Sequence, residues 1–309
     1  MSYPYECATE VPETQYEQFD QANFAFIQWK TATETPKGRV LIVHGFCEHC
    51  KIQHRLMDNL AQNGYESFTF DQRGAGLTSP GKLRGRTDEH HTFKDLDHFV
   101  EKNLEQCREN NTPLVLFGHS MGGGIVLQYA AHGRFRSRVA AFSCTGPLIL
   151  LHPHSRPSRL VSLLSPLLAK CLPSFQIDTE LDLDGITSDK RYQDFLKHDI
   201  PLSTPLIGTL RQIYDFLKRG EALYENRGGH ISANFIRDRP VLVMHGTDDT
   251  INDPAASKHF VETVCPAEDK TLKLYREAKH SILSLETDDV FRTVFDDYLA
   301  WLNRCCVSK

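Results

Sequence analysis

Two short stretches concentrate the side chains that could do covalent or metal chemistry. The first is Gly118-His119-Ser120-Met121-Gly122, a G-x-S-x-G pattern. A serine hydroxyl is a weak nucleophile until a neighbouring base takes its proton. In a sharp strand-to-helix turn the serine is held strained with its Oγ exposed, and the flanking glycines remove side chains that would collide there. The second stretch is His44-Gly45-Phe46-Cys47-Glu48-His49-Cys50. Two histidines, two cysteines and a glutamate in seven residues suggest zinc or thiol redox chemistry, and Cys47 with Cys50 forms a C-x-x-C.

Each reading makes demands on the rest of the chain. A structural zinc site usually needs a second ligand pair, and there is no second C-x-x-C. A redox C-x-x-C would leave the Ser120 turn without a purpose, so no metal is expected. The serine reading needs a base and an acid, in the order Ser, acid, His. Two late histidines are weighed as the base. His259 lies within a helical pattern, whereas His280 follows a strand on a loop. The acid is Asp248 or Asp249 in "HGTDDT", and spacing does not separate them. His90 and His91, beside Asp88 and Glu89, are read as a solvated loop capping a helix over 92–110, because adjacent residues seldom point at one ion.

The elements that must position these groups alternate. Apolar strand-like runs at 39–46, 65–71, 113–120, 139–147, 239–249 and 270–280 are interleaved with helical patterns at 51–64, 92–110, 121–133, 254–264 and 288–304. On the 92–110 helix Phe93, Leu96, Val100, Leu104 and Cys107 share one face. This rhythm predicts an α/β fold, a mostly parallel, doubly wound sheet with function at the carboxyl ends of its strands. Ser120 then follows a strand and opens a helix, as the elbow requires. Residues 148–236 break the rhythm with a Leu-, Pro- and Ser-rich run in which Leu160, Leu164, Leu167 and Cys171 form a stripe. They are expected to be a cap inserted into a core made of 1–147 and 237–309.

Composition narrows the partners. The 309 residues are 40% hydrophobic and 24% charged with a formal charge of -5, which gives no reason to expect nucleic-acid binding. Nine cysteines without framework spacing favour reduced thiols. "MSYPYECATEVPETQ" has neither a basic start nor an apolar run, so no signal peptide is expected. No stretch is long enough to span a bilayer. The terminal "CCVSK" is read as two free cysteines, not a lipidation box.

The loop "HGFCEHC" follows the first strong strand, where an oxyanion hole is built from one backbone N–H of this loop and one from the residue after the nucleophile. Those donors are Phe46 and Met121, and the cysteines are then incidental. Together "VHGFCEH", "NGYESFTFDQRGAG", "GHSMGGG", "GPLILLHPH", "LDLDGITSDK", "MHGTDDTINDP" and "HSILSLETD" resemble the monoacylglycerol lipases of the α/β-hydrolase superfamily, especially their fungal members, over nearly the whole chain. The resemblance implies an α/β-hydrolase fold and a serine esterase that releases glycerol and fatty acid from monoacylglycerol without a cofactor. It sets the acid at Asp249 and the base at His280, and agrees with Phe46 and Met121 as oxyanion donors. It also implies an apolar cap that admits an acyl chain and touches membrane or lipid droplet, hence a peripheral location on droplets and intracellular membranes, on the cytoplasmic side. One departure stands out: Cys47 replaces a glycine common in that family's loop, a costly exchange if the position needs positive φ. The rival readings are a broader carboxylesterase or lysophospholipase on the same triad, and a non-catalytic lipid-binding relative.

Overall fold

The computed structural model describes residues 3–156, 159–199 and 204–306, with the side chains of 159–164 outside the description. The chain opens with an antiparallel hairpin, β1 (Gln15–Phe19) and β2 (Ala22–Trp29). The alternating series follows: β3 (Gly38–Val43), α1 (His54–Gln62), β4 (Tyr65–Phe70), α2 (Glu89–Asn110), β5 (Leu114–His119), α3 (Met121–His132) and β6 (Ala141–Thr145). The segment after β6 carries α4 (Arg159–Cys171), β7 (Gln176–Asp178), α5 (Lys190–His198), β8 (Ile207–Thr209) and α6 (Leu210–Glu225). The series then resumes with β9 (Val241–Gly246), α7 (Pro254–His259), β10 (Lys270–Tyr275) and α8 (Asp288–Cys306).

Eight strands form one sheet in the order β1-β2-β4-β3-β5-β6-β9-β10, parallel from β4 to β10 with the hairpin antiparallel at one edge. Successive side chains on a strand point to opposite faces, which explains the unbroken apolar runs in the sequence. Leu41 and Val43 of β3 join one core with α2 and α3, while Val40 and Ile42 join another with α1 and α8. Both faces are covered, as a parallel sheet requires. β3 lies between β4 and β5, so the strand order reverses there, and crevices form at such switch points.

Several boundaries differ from the sequence reading. The strand expected over 39–46 stops at Val43, and "HGF" runs on as loop. The helix expected over 51–64 starts as a 3₁₀ turn, Cys50–Gln53, before α1. His90 and His91 are not in a loop but in the first turn of α2, capped by Asp88 accepting the His91 N–H at 2.8 Å. The helix expected over 254–264 widens after His259 into a π turn, Phe260–Val264. The described strands between β6 and β9, β7 and β8, form a separate two-stranded sheet. Leu160 and Leu164 of the expected apolar stripe fall outside the described side chains, and Val307–Lys309 and Met1–Ser2 outside the described residues.

Candidate active site

Ser120 sits between the last residue of β5 and the first of α3 with φ 55° and ψ −118°, a backbone conformation that non-glycine residues keep only when their surroundings impose it. Its N–H donates to the Thr145 carbonyl at 3.0 Å, and its own carbonyl accepts from Gly124 and Leu148 at 3.1 and 2.9 Å. A Cβ on Gly118 would stand 2.2 Å from the Gly122 oxygen, and one on Gly122 2.0 Å from the Val43 oxygen. Glycine at both positions lets α3 start against β3 and turn the serine outward.

β9 and β10 pair in register to Gly246 and Tyr275, so the loops beyond them lie side by side. They bring Asp249 and His280 together: His280 Nδ1 is 2.6 Å from Asp249 Oδ2. An ionised carboxylate only accepts, so Nδ1 carries the proton and the lone pair of the neutral ring is on Nε2, the nitrogen a general base uses. Both residues are buried. Burial alone would raise the Asp249 carboxyl, but the charge and N–H of His280 and the N–H of His245 outweigh it and hold it well below the usual carboxylate range. Asp248, the alternative acid, is exposed and accepts from the Thr247 hydroxyl. His259 ends α7 with Nε2 at 3.1 Å from the Tyr224 carbonyl.

His119 connects these loops to the serine. Its ring centroid is 4.8 Å from that of His280, its Nδ1 is 2.9 Å from Thr145 Oγ1 and its Nε2 3.2 Å from Ser281 Oγ. Burial first, and the neighbouring His280 next, push its pKa well below the ordinary histidine value, so it stays neutral.

The loop after β3 lies against the nucleophile, for a Cβ on Gly45 would be 3.1 Å from Ser120 Cβ. His44 Nε2 accepts the Gln72 N–H at 3.0 Å, which leaves the ring proton on Nδ1, 2.8 Å from the Gly45 carbonyl. The Glu48 N–H reaches the same carbonyl at 3.3 Å. That carbonyl and the Phe46 N–H are opposite ends of one planar peptide, so anchoring the first fixes where the second points. Met121 begins α3, where the leading N–H groups have no carbonyl within the helix. Ser120, Phe46 and Met121 all line a pocket of about 520 Å³, whose walls include Leu148, Leu168, Ile213 and Leu217.

A family profile described as serine aminopeptidase, S33 (Hydrolase_4) matches residues 34–288. The monoglyceride lipase of Saccharomyces cerevisiae is 56% identical over 304 residues, covering 98% of this chain and 96% of that one. A putative monoglyceride lipase of Schizosaccharomyces pombe is 31% identical, over 89% of this chain and 69% of its own. A crystal structure of a soluble variant of the S. cerevisiae monoglyceride lipase with a substrate analog superposes with a TM-score of 0.95 at 55% identity, covering 99% of each chain. This chain belongs to the monoglyceride lipases of the Hydrolase_4 family.

Within that family the departure at Cys47 acquires a geometry: φ is 55°, the left-handed region where a Cβ is disfavoured. The thiol donates to the Ile207 carbonyl at 3.4 Å, and burial pushes its pKa up to about 12. Cys50 Sγ faces Thr69 O and Ala25 O at 3.5 and 3.9 Å, so the C-x-x-C sulfurs serve different contacts. The five residues singled out in the sequence therefore lie at the carboxyl ends of β3, β5, β9 and β10. One neighbour was passed over there: His245, whose Nε2 is 2.9 Å from Asp249 Oδ2. Its place inside an apolar strand pattern hid it, and the signal that could have found it is the spacing His-Gly-x-x-Asp.

Proposed function

We propose that this monoglyceride lipase family member hydrolyses monoacylglycerols to glycerol and free fatty acid, with Ser120 as nucleophile, His280 as general base and then acid, and Asp249 holding the imidazole. The observation that carries the proposal is the Asp249–His280 hydrogen bond of 2.6 Å, beside a strained serine that opens onto the apolar pocket. The ester carbonyl lies against Ser120, and its acyl chain runs along the leucine-lined wall. His280 Nε2 takes the Ser120 proton as Oγ attacks, and Asp249 stabilises the imidazolium without itself being protonated. The oxyanion is met by the N–H groups of Phe46 and Met121. The tetrahedral species then collapses, the glycerol oxygen leaves with the proton from His280, and water repeats the sequence on the acyl-enzyme.

Residues 148–236 act as a cap over the core of 1–147 and 237–309, forming much of the pocket wall through Leu151, Leu168, Ile177 and Ile213. The cap also meets lipid, and the enzyme works peripherally on droplets and intracellular membranes from the cytoplasmic side. Support comes from its exposed apolar side chains Leu167, Leu172 and Phe175, with Leu83 nearby in sequence to Lys82 and Arg84, whose carbonyls accept from Gln176. Lys170 is exposed on the same helix. Arg156 donates to the Leu151 carbonyl and pairs with Asp253 at 3.4 Å.

The test is hydrolysis of mono-, di- and triacylglycerols by wild type and Ser120→Ala. The wild type prefers monoacylglycerol and reacts with a fluorophosphonate, and Ser120→Ala loses both activities by several powers of ten. Near-normal turnover in Ser120→Ala would refute the serine mechanism, and preference for a lysophospholipid would refute the substrate.

A further inference from the structure

The acid of the triad is shared. Asp249 Oδ1 accepts the N–H groups of Ile251 and Asn252 at 2.8 and 2.9 Å, while Oδ2 accepts His280 Nδ1 at 2.6 Å and His245 Nε2 at 2.9 Å. A carboxylate offers about four lone-pair sites, and here all four are filled. Because the carboxylate can only accept, His245 carries its proton on Nε2. Its Nδ1 is 2.8 Å from Ser257 Oγ on α7, so in the neutral ring Nδ1 accepts the Ser257 hydroxyl proton. Both His245 and Ser257 are fully buried. No step of the mechanism above uses either of them.

We infer that His245 is a positioning residue of the reaction: with its ring held by the Ser257 hydroxyl, it fixes the Asp249 carboxylate and draws off part of the charge that would otherwise act on His280. The inference rests on the triad reading and extends it. A hydrogen bond to a carboxylate disperses its charge. Asp249 therefore stabilises the His280 imidazolium less than it would with an undivided Oδ2. The other groups facing His280 are His119 from the end of β5 and Glu48 from the loop after β3, where burial pushes the Glu48 carboxyl above its ordinary value. Asp248 is exposed and Lys279 directs its ammonium to the Asp184 carbonyl, so both turn outward.

The experiment is the pH profile of kcat/KM on a soluble monoacyl ester for wild type, His245→Phe, His245→Gln and Ser257→Ala. His245→Phe keeps the ring shape and removes the N–H, and the acid limb moves to higher pH by roughly half a unit or more. His245→Gln can place an amide N–H near the former Nε2, and returns the limb toward its wild-type position. Ser257→Ala removes the hydroxyl that holds the His245 ring, loosens its hydrogen bond to Asp249, and moves the limb in the same direction by less. A folded His245→Phe whose limb does not move, or moves to lower pH, overturns the inference. Should His245→Phe fail to fold, an unmoved limb in Ser257→Ala overturns it. Failure of the triad itself reads differently, as turnover that survives His280→Ala.

Discussion

Asp248 and Asp249 are adjacent and chemically alike, and spacing along the chain does not distinguish them. Their surroundings do, since one carboxylate is exposed and the other is buried under four hydrogen bonds. Asp249→Asn puts an amide where His280 needs an acceptor, favours the wrong imidazole tautomer, and lowers kcat by about 10⁴-fold. Asp248→Asn leaves steady-state rates near wild type and stability within about 0.5 kcal/mol. Equal losses in the two variants would contradict the assignment. Cys47 gives a second outcome at this scale. Its φ of 55° costs a side chain about 1 kcal/mol that glycine does not pay. Cys47→Gly should raise the urea midpoint accordingly, and Cys47→Ala, which keeps a Cβ, should not. The nucleophile was legible because a local motif and its strand–turn–helix setting agree. The role of His245 was not, because it depends on a carboxylate four residues away that folds back onto it.

The elbow shows how an element can be fixed by the absence of side chains. Gly122→Ala drives a Cβ to within 2.0 Å of the Val43 carbonyl, and neither backbone can yield without moving β3 or α3. Its cost should reach or pass the roughly 3 kcal/mol upper end of ordinary overpacking, with loss of fluorophosphonate labelling. Gly228→Ala is the control, for a Cβ there meets nothing within 4 Å and only its φ of 61° is unfavourable. If thermal unfolding finds the two equally destabilised, the steric account fails. The buried parallel strands were readable as apolar runs because both their faces are covered. The opening hairpin was not. Its turn residues Asp20 and Gln21 have φ of 45° and 65°, a geometry usually announced by Asn-Gly or Asp-Gly, and glutamine conceals it. The π turn after α7 was likewise invisible, because a helical apolar period does not register one widened turn.

At the scale of the whole molecule, no described helix is long and apolar enough to cross a membrane, yet Leu167, Leu172 and Phe175 are 60%, 50% and 57% exposed. Replacing all three by serine should weaken liposome flotation at least about tenfold, given 1.5–3 kcal/mol for each large apolar side chain fully withdrawn from water. Hydrolysis of long-chain substrate in vesicles should fall with it, while a short soluble ester and the melting temperature are unaffected. Parallel loss of soluble-ester activity and stability would mean these residues are packing, not docking. That a segment interrupts the sheet was evident from the broken rhythm; which of its leucines face outward depended on how α4 lies against α6. The segment also departs from β6 and returns to β9, and those strands are direct neighbours, paired from Phe142 with Val241 to Thr145 with Met244. A protease cut inside it would therefore divide the polypeptide, leaving Ser120 on one fragment and Asp249 and His280 on the other, without cutting the ladder that joins them. Such a clipped preparation should give two bands on a denaturing gel, elute as one particle, and still be labelled at its serine.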